Sequence, residues 1–432
     1  MHMSRFLAAR NSSWFTKAQQ AISIGFFLAI RDIRRANIWT TLLIVTVMVL
    51  TFLNLIVVSG ILVGLIQSSV DANKRHYTSD IIISTPLKKD YIERSSEIIS
   101  VLESHPAVEK ISARYLQSAT IEANYKSRVD FNDKVDMAGA LVSGIDPAKE
   151  DALTGISKFM KEGRFLLPSD TDAVVIGADL LAKYTPIESP GFQTLKNVEA
   201  GSRVRLNIGN ISREVTVVGV IKAKVGDVDQ RFTMVDREVR TMIGRTDYNV
   251  DEIAVQLKPG ATADSVKAAL ANLGFDQVAK IQSSDEALPK FLKDITATFA
   301  LLGNLIGSIG LAVACITIFI IIFVNAITRR RFIGILKGIG IQSSAIEISY
   351  IFQSIFYAVA GVVFGALLVF LVLKPYLDAN PINFPFSDGT LVATPMGTLI
   401  RGVVLLGATM IAGYIPARLV VKQNTLDAIL GR

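Results

Sequence analysis

Three histidines, one cysteine and a loop of spaced glycines are the residues of this chain that could carry chemistry if they were gathered. His2, His76 and His105 share no HExxH or other metal-ligand spacing, which argues against a zinc hydrolase. The chain contains neither a G-x-S-x-G nucleophile elbow nor a GxxxxGK[ST] phosphate loop. The run Gly334 to Gly340 imitates a phosphate loop, but it follows a long apolar block where such a loop would follow a buried strand. Cys315 stands alone inside an apolar run, so no intramolecular disulfide is available. The expectation is a chain with no catalytic, cofactor-binding or metal-binding residues of its own.

The elements that place these residues are set by hydropathy. The 432 residues are 50% apolar, with a mean hydropathy of +0.43, and the apolar residues are concentrated in four blocks. Ala36 to Val70, Ile295 to Thr328 and Ile348 to Leu373 contain no charged residue, and a fourth block runs from about Thr394 to Val421. A bilayer span needs about 20 apolar residues, and each block suffices. The expected fold class is an α-helical membrane protein with four transmembrane helices and a large α/β (α+β) extracytoplasmic domain inserted between the first and second.

The expected layout is a cytoplasmic N-terminus over 1–36, transmembrane helices over 37–68, 293–328, 348–374 and 395–421, and an outer domain over 69–292. A cytoplasmic loop over 329–347, an external loop over 375–394 and a cytoplasmic tail over 422–432 complete it. The first block is read as a retained anchor, because it is longer than a signal-peptide core and shows no small-residue cleavage site.

Charge separates the compartments. Residues 67–295 carry 30 Lys+Arg and 33 Asp+Glu, a net of −3, whereas the remainder carries 15 and 5, a net of +10. Arg31, Arg34 and Arg35 precede the first span, and Arg329, Arg330, Arg331 and Lys337 follow the second. The positive-inside rule then puts both termini and the 329–347 loop in the cytoplasm, and localises the chain to the inner or plasma membrane. The basic balance is a topology signal, and no nucleic-acid partner is implied.

Phe15, Ala18, Ile22, Gly25, Phe26, Ala29, Ile30 and Ile33 recur at helical spacing before the first span. Two readings fit: an amphipathic helix in the inner interface, or a helix packed on a partner or on the other spans. In the outer domain, strands are expected at 80–84, 108–122, 172–177, 231–235, 252–257 and 277–281, with helices at 91–104, 178–184 and 263–273. Val204 to Ile208 and Glu214 to Ile221, with Gly209 and Asn210 between, form a hairpin pattern. The βαβ-like ends suggest a split subdomain carrying an inserted β-rich unit over about 136–248. The second block, 34 residues or about 51 Å of helix, exceeds a hydrocarbon core of about 30 Å, which suggests an outward stalk.

GxxxG pairs at Gly60/Gly64, Gly303/Gly307 and Gly361/Gly365 permit close helix contact, either within the chain or, for Gly60, Gly64, Gly303 and Gly307, across a dimer seam. Arg401, two turns into the fourth block, either snorkels to the outer interface or marks a translocation path. The strongest signal is the loop Ile327 to Ile346, a basic turn followed by a short segment rich in isoleucine and spaced glycine.

That loop resembles the coupling loop of the FtsX-like ABC permeases, the family of MacB-type exporters and lipoprotein-release permeases. Arg329, Ile333, Gly334, Lys337 and Gly340 fit its pattern, while Phe332 stands where a glutamate is usual and Gly338 where alanine is. Ala29 to Arg35 resembles the family's basic entry to the first span. Ile415 to Arg418 with Leu426 to Leu430 resembles its C-terminal signature, and Val174 to Gly177, Gly201 to Val204 and Val217 to Val220 resemble the MacB-type outer domain. The resemblance implies a cytoplasmic ABC ATPase carrying ATP and Mg, and a second permease chain, identical or not. It also implies contact with membrane lipid, and an extracytoplasmic adaptor or substrate as a further candidate partner. Its mechanism would be mechanotransmission driving export or extrusion, or else signalling to an extracytoplasmic enzyme such as a cell-wall hydrolase. Arg329, Arg330, Arg331, Ile333, Gly334, Ile335, Leu336, Lys337, Ile339 and Gly340 are the expected ATPase-coupling residues. Among them Ile335, Leu336 and Ile339 would enter a groove on the ATPase, while the three arginines hold the loop at an anionic leaflet.

Overall fold

A computed structural model describes residues 2–126, 135–185, 193–288, 290–384 and 387–422, with side chains from residue 19 onward except at 291 and 296. The C-terminal signature Leu426 to Leu430 and Arg432 therefore lie outside the described residues. The chain divides into two units: 1–65, 295–382 and 389–432 form one, and 66–294 with 383–388 the other.

The first unit begins with α1 (His2–Arg35), followed by α2 (Ile38–Asn73), whose last residues belong to the second unit. Asn37 caps α2, its side-chain oxygen accepting from the Trp39 amide at 2.9 Å. The second unit runs β1 (Ile81–Ser84), α3 (Ser95–Ser104), β2 (Val108–Glu122), β3 (Met137–Ile145), α4 (Pro147–Thr154), β4 (Met160–Gly163), β5 (Ala173–Gly177), β6 (Arg203–Ile208) and β7 (Ile211–Ile221). It continues with α5 (Gly226–Asp229), β8 (Arg231–Val235), α6 (Asp236–Met242), β9 (Glu252–Leu257), α7 (Ala263–Asn272), β10 (Lys280–Ser283) and α8 (Ser284–Ala287). The chain then forms α9 (Lys290–Thr328), α10 (Arg330–Gly338), α11 (Ser343–Leu368) and α12 (Lys374–Ala379). A small ladder of β11 (Ile382–Phe384) and β12 (Ser387–Gly389) precedes the last helix, α13 (Pro395–Val421).

Four described helices are long and apolar enough to cross a membrane, in the order expected. The first three are longer than the sequence blocks, and the fourth, Pro395–Val421, matches its block. The helix begun by α2 runs on through a π-helical turn, Lys74–Thr78. α2 alone is 36 residues, or about 54 Å, and α9 is 39 residues, or about 58 Å. The surplus length expected of the second span is thus present on the first as well. The cause is that helix continues through charged residues once the apolar run has nucleated it, whereas the hydropathy window stops at the first charge.

Inside the first unit the apolar stripe read on α1 divides: its small residues pack and its large ones are mostly exposed. Ala21, Gly25 and Ala29 are buried, and a Cβ at Gly25 would stand 2.7 Å from the Ile348 side chain of α11. Phe26 meets Phe352 of α11 edge-on at 5.3 Å, while Ile22 and Phe27 are exposed. Over this stretch one face of α1 packs against another span, and the opposite face stays exposed. Small residues win the contact because they let two backbones approach closely.

Close packing within the chain recurs at the paired glycines. Gly60 and Gly64 lie against Leu391 and the Thr390 carbonyl, Gly303 and Gly307 face Ser59, Leu62 and Leu55 of α2, and Gly361 and Gly365 receive Met48 and Phe52. Each has a neighbour within the chain.

The second unit is built on a ten-stranded sheet in the order β10-β1-β9-β2-β3-β8-β5-β7-β4, with β6 pairing β2 and β7. β1 and β5 are apolar on both faces, as suits interior strands, and β7 alternates into the core through Val215, Val217 and Ile221. The insert expected over 136–248 supplies β3 to β8. It joins the strands from the ends of the domain in one continuous sheet, because β2 and β3 pair antiparallel from Arg114↔Ile145 to Glu122↔Met137. The helix expected at 178–184 is a short 3₁₀ turn, Ala178–Leu180. Leu180 and Leu181 are both fully buried, and the Leu180 carbonyl accepts from the Leu195 amide, so the backbone bonds outward instead of along a helix. Helix α3 starts at Ser95 rather than 91, and the last strand is Lys280–Ser283 rather than 277–281.

Candidate functional site

The loop singled out in the sequence folds as α10, a nine-residue amphipathic helix. Its C-terminus closes in a Schellman motif: the Ile341 amide donates to the Leu336 carbonyl at 3.0 Å and the Gly340 amide to the Lys337 carbonyl at 3.1 Å. Gly340 sits at φ +92°, the left-handed conformation that this closure needs and that L side chains resist. Gly338 has no such φ, and a Cβ there would meet nothing within 4 Å. The two glycines therefore respond in opposite directions. Gly338→Ala should stabilise by about 0.5–1 kcal/mol and Gly340→Ala should destabilise by about 1–2 kcal/mol, read by denaturant unfolding of the full chain in mixed micelles.

Three attachments orient the helix within its unit. Ile333 and Gly334 are buried against the inner apolar cluster. Arg329, just before α10, pairs with Asp32 of α1 at 2.7 Å, and Asp32 also accepts from Gln353 of α11 at 3.3 Å. Lys337 donates to the carbonyl of Val421, the last residue of α13, at 3.0 Å. Arg329 is therefore engaged by a carboxylate of the same chain rather than turned to a leaflet. Leu336, expected to face an ATPase, is half-buried against the inner cluster. The large apolar residues left exposed are Phe332, Ile335 and Ile339, at 49%, 50% and 70%, spaced i, i+3 and i+7 on one face. Phe332 was seen in the sequence only as a departure from a pattern. Its helical spacing to Ile335 and Ile339 was the signal that places it on this face.

The second unit holds a buried charged cluster that sequence reasoning missed. Tyr77 lies on the π turn that continues α2, and its hydroxyl donates to Glu252 of β9 at 2.6 Å. The guanidinium groups of Arg114 (β2) and Arg231 (β8) lie 4.6 and 4.9 Å from the centre of the Tyr77 ring. Arg114 also grips Glu150 of α4 with bonds of 2.7 and 3.0 Å and donates to the Tyr77 carbonyl at 2.8 Å. Glu150 is held for this by a firm helix start, where Asp146 accepts from the Ala148 and Lys149 amides behind Pro147. The buried Tyr77 hydroxyl acts as the donor to the Glu252 carboxylate. Polar residues in strands and near a span are common, and nothing local in the sequence links positions 77, 114, 150 and 252.

A smaller link involves residues 383–388, which fold with the second unit. Lys224 donates to Asn383 and Asp388, each at 2.6 Å. Its own turn is tied down by Asp229, whose carboxylate accepts from the Ala223 and Lys224 amides at 2.6 and 2.7 Å. Burial pushes that carboxyl up to about 7 against these two bonds.

Comparison with known proteins places these two sites in context. Residues 41–273 match the family model of the MacB-like periplasmic core domain, and residues 304–425 match that of the FtsX-like permease C-terminal region. An uncharacterised ABC transporter permease of Methanocaldococcus jannaschii is 22% identical over 63% of this chain and 65% of its own length. The macrolide export ATP-binding/permease protein MacB 1 of Yersinia pestis is 25% identical over 51% of this chain and 34% of its own. The matches thus span less than two thirds of either relative. Among solved structures, the periplasmic region of MacB from Actinobacillus actinomycetemcomitans aligns over 49% of this chain and 92% of its own, at 14% identity and a TM-score of 0.34.

Proposed function

The chain belongs to the family of FtsX-like ABC transporter permeases with a MacB-like periplasmic core domain, and from that premise we propose that it is the membrane subunit of an ATP-driven export or extrusion machine. ATP and Mg bind a separate cytoplasmic ABC ATPase, which docks on the Phe332, Ile335 and Ile339 face of α10. Two permease chains and two ATPase subunits form the working unit. Closure of the ATPases pushes on α10, and the long helices α9 and α2 carry the movement to the outer unit, where Tyr77 is gripped by the buried cluster. The substrate leaves from the outer side of the membrane. The observation that carries this reading is the exposed apolar face of α10 on a helix anchored to α1 through Asp32–Arg329 and to α13 through Lys337. A solvated loop has no need of three exposed large apolar side chains in register.

The test is co-reconstitution of the full chain with the candidate ATPase in liposomes. The expected result is ATP hydrolysis that rises when this chain is present and that drives displacement of a labelled cargo from the outer side. Hydrolysis that instead switches on an added cell-wall hydrolase, with no cargo displaced, would replace export by signalling. An ATPase whose rate ignores this chain would overturn the subunit assignment itself.

A further inference from the structure

We propose that the outward face of α1, just before α2, is a binding site for an anionic glycerophospholipid, with the phosphate on Arg31, Arg34 and Arg35 and the upper acyl chain on Phe26, Phe27 and Ile30. Because α1 spends its small residues on α11, large apolar side chains are left open: Phe27 is 63% exposed, and Phe26, whose ring edge meets Phe352, still 51%. They line a groove of about 510 Å³ together with the three arginines. All of its lining lies on α1, three large apolar side chains beside Ser23 and the three arginines.

The charge of the groove selects the occupant. None of the Arg31, Arg34 and Arg35 side chains has an ion-pair or hydrogen-bond partner among the described residues. The one acid on this part of the helix, Asp32, is taken by Arg329 and Gln353. Three uncompensated cations beside an exposed aromatic floor suit a molecule with an anionic head and an apolar tail.

The depth of the groove points to lipid rather than to a soluble anion or an acidic protein. Trp39, four residues after Arg35 and two into the membrane-spanning helix, is 76% exposed. Tryptophan in that position marks the headgroup level of a bilayer. Beyond it Leu42 and Leu43 are also exposed, as lipid-facing residues are. The arginines therefore stand where phosphates are, and each basic residue near a membrane surface strengthens attraction to anionic lipid by about fivefold. This inference does not depend on the docking of an ATPase on α10.

The experiment uses Trp39 as the probe, in full chain carrying Trp14→Phe so that one tryptophan remains. Brominated phosphatidylglycerol and brominated phosphatidylcholine are titrated into the solubilised chain and the quenching is compared. The expected result is half-quenching by the glycerol lipid at a concentration at least tenfold lower than by the choline lipid. Arg31→Gln, Arg34→Gln and Arg35→Gln together should abolish that preference, while Arg418→Gln with Lys422→Gln should leave it intact. Phe27→Ser should weaken both lipids alike, and an unchanged elution volume confirms that each variant is folded. Equal quenching by the two lipids in the parent chain, or a preference that survives the triple change, overturns the site; an acidic protein as the true occupant gives the first of these results.

Discussion

Ile335→Asp should leave the chain folded and prevent it from assembling with its ATPase. In the isolated chain the side chain at 335 is half exposed and makes no part of the inner cluster, so its replacement changes stability by no more than about 0.5 kcal/mol. On docking, the same position would be covered, and an aspartate there must be desolvated without a partner. Loss of an apolar anchor and burial of an unpaired carboxylate together cost about 3 kcal/mol or more, equivalent to at least about a hundredfold in affinity. Phe332→Asp and Ile339→Asp should act in the same way. Leu336→Asp is the contrasting variant: being half-buried on the bundle, it should lower the melting temperature of the chain itself. Co-purification with the ATPase, stimulated hydrolysis and thermal unfolding distinguish the two cases. Normal assembly by Ile335→Asp would mean that the apolar face of α10 is not the docking surface.

The second large effect is expected inside the outer unit. Arg114→Met removes a guanidinium that is 2% exposed and takes from Glu150, itself almost fully buried, its ion-pair partner, while Glu252 keeps Tyr77 and Arg231. Breaking one partner of a buried charged pair costs about 3–5 kcal/mol, because the partner left behind is neither solvated nor paired. Glu150→Leu alone should cost a comparable amount by the same reasoning. The double variant should recover at least about 2 kcal/mol relative to the sum of the single losses, since both uncompensated charges are gone. Urea unfolding of the full chain, followed by a probe in the outer unit, measures all three. Strictly additive losses would show that the pair contributes as two separate contacts and that the cluster is not a cooperative anchor for Tyr77.

The expected effects fall on residues of differing visibility in the sequence. Ile335 and Ile339 were legible because an amphipathic period needs only local spacing. Arg114 was not, because its partners lie 36 residues away at Glu150 and 37 away at Tyr77, and a strand arginine looks the same whether it faces water or a buried carboxylate.

The sequence by itself determined the four spans, the segregation of charge that separates the outer unit from the rest, and most strands of that unit. These follow from one-dimensional quantities: length of uncharged apolar run, charge count and period of alternation. Only the tertiary structure decided which face of each element is used. In a membrane, lipid is as apolar as a helix neighbour, so the hydrophobic stripe of α1 could not reveal that its small members Gly25 and Ala29, with Ala21, are buried while Ile22 and Ile30 stay exposed. For the same reason the paired glycines announced close packing without naming Ser59, Met48, Phe52 or Thr390 as the neighbours. The fold also overrode local propensity at Leu180 and Leu181, where burying both side chains gained more than the first turn of a helix. The union of Tyr77, Arg114, Glu150, Arg231 and Glu252 is likewise a property of the sheet, because only strand order brings charges so distant in sequence out of water together.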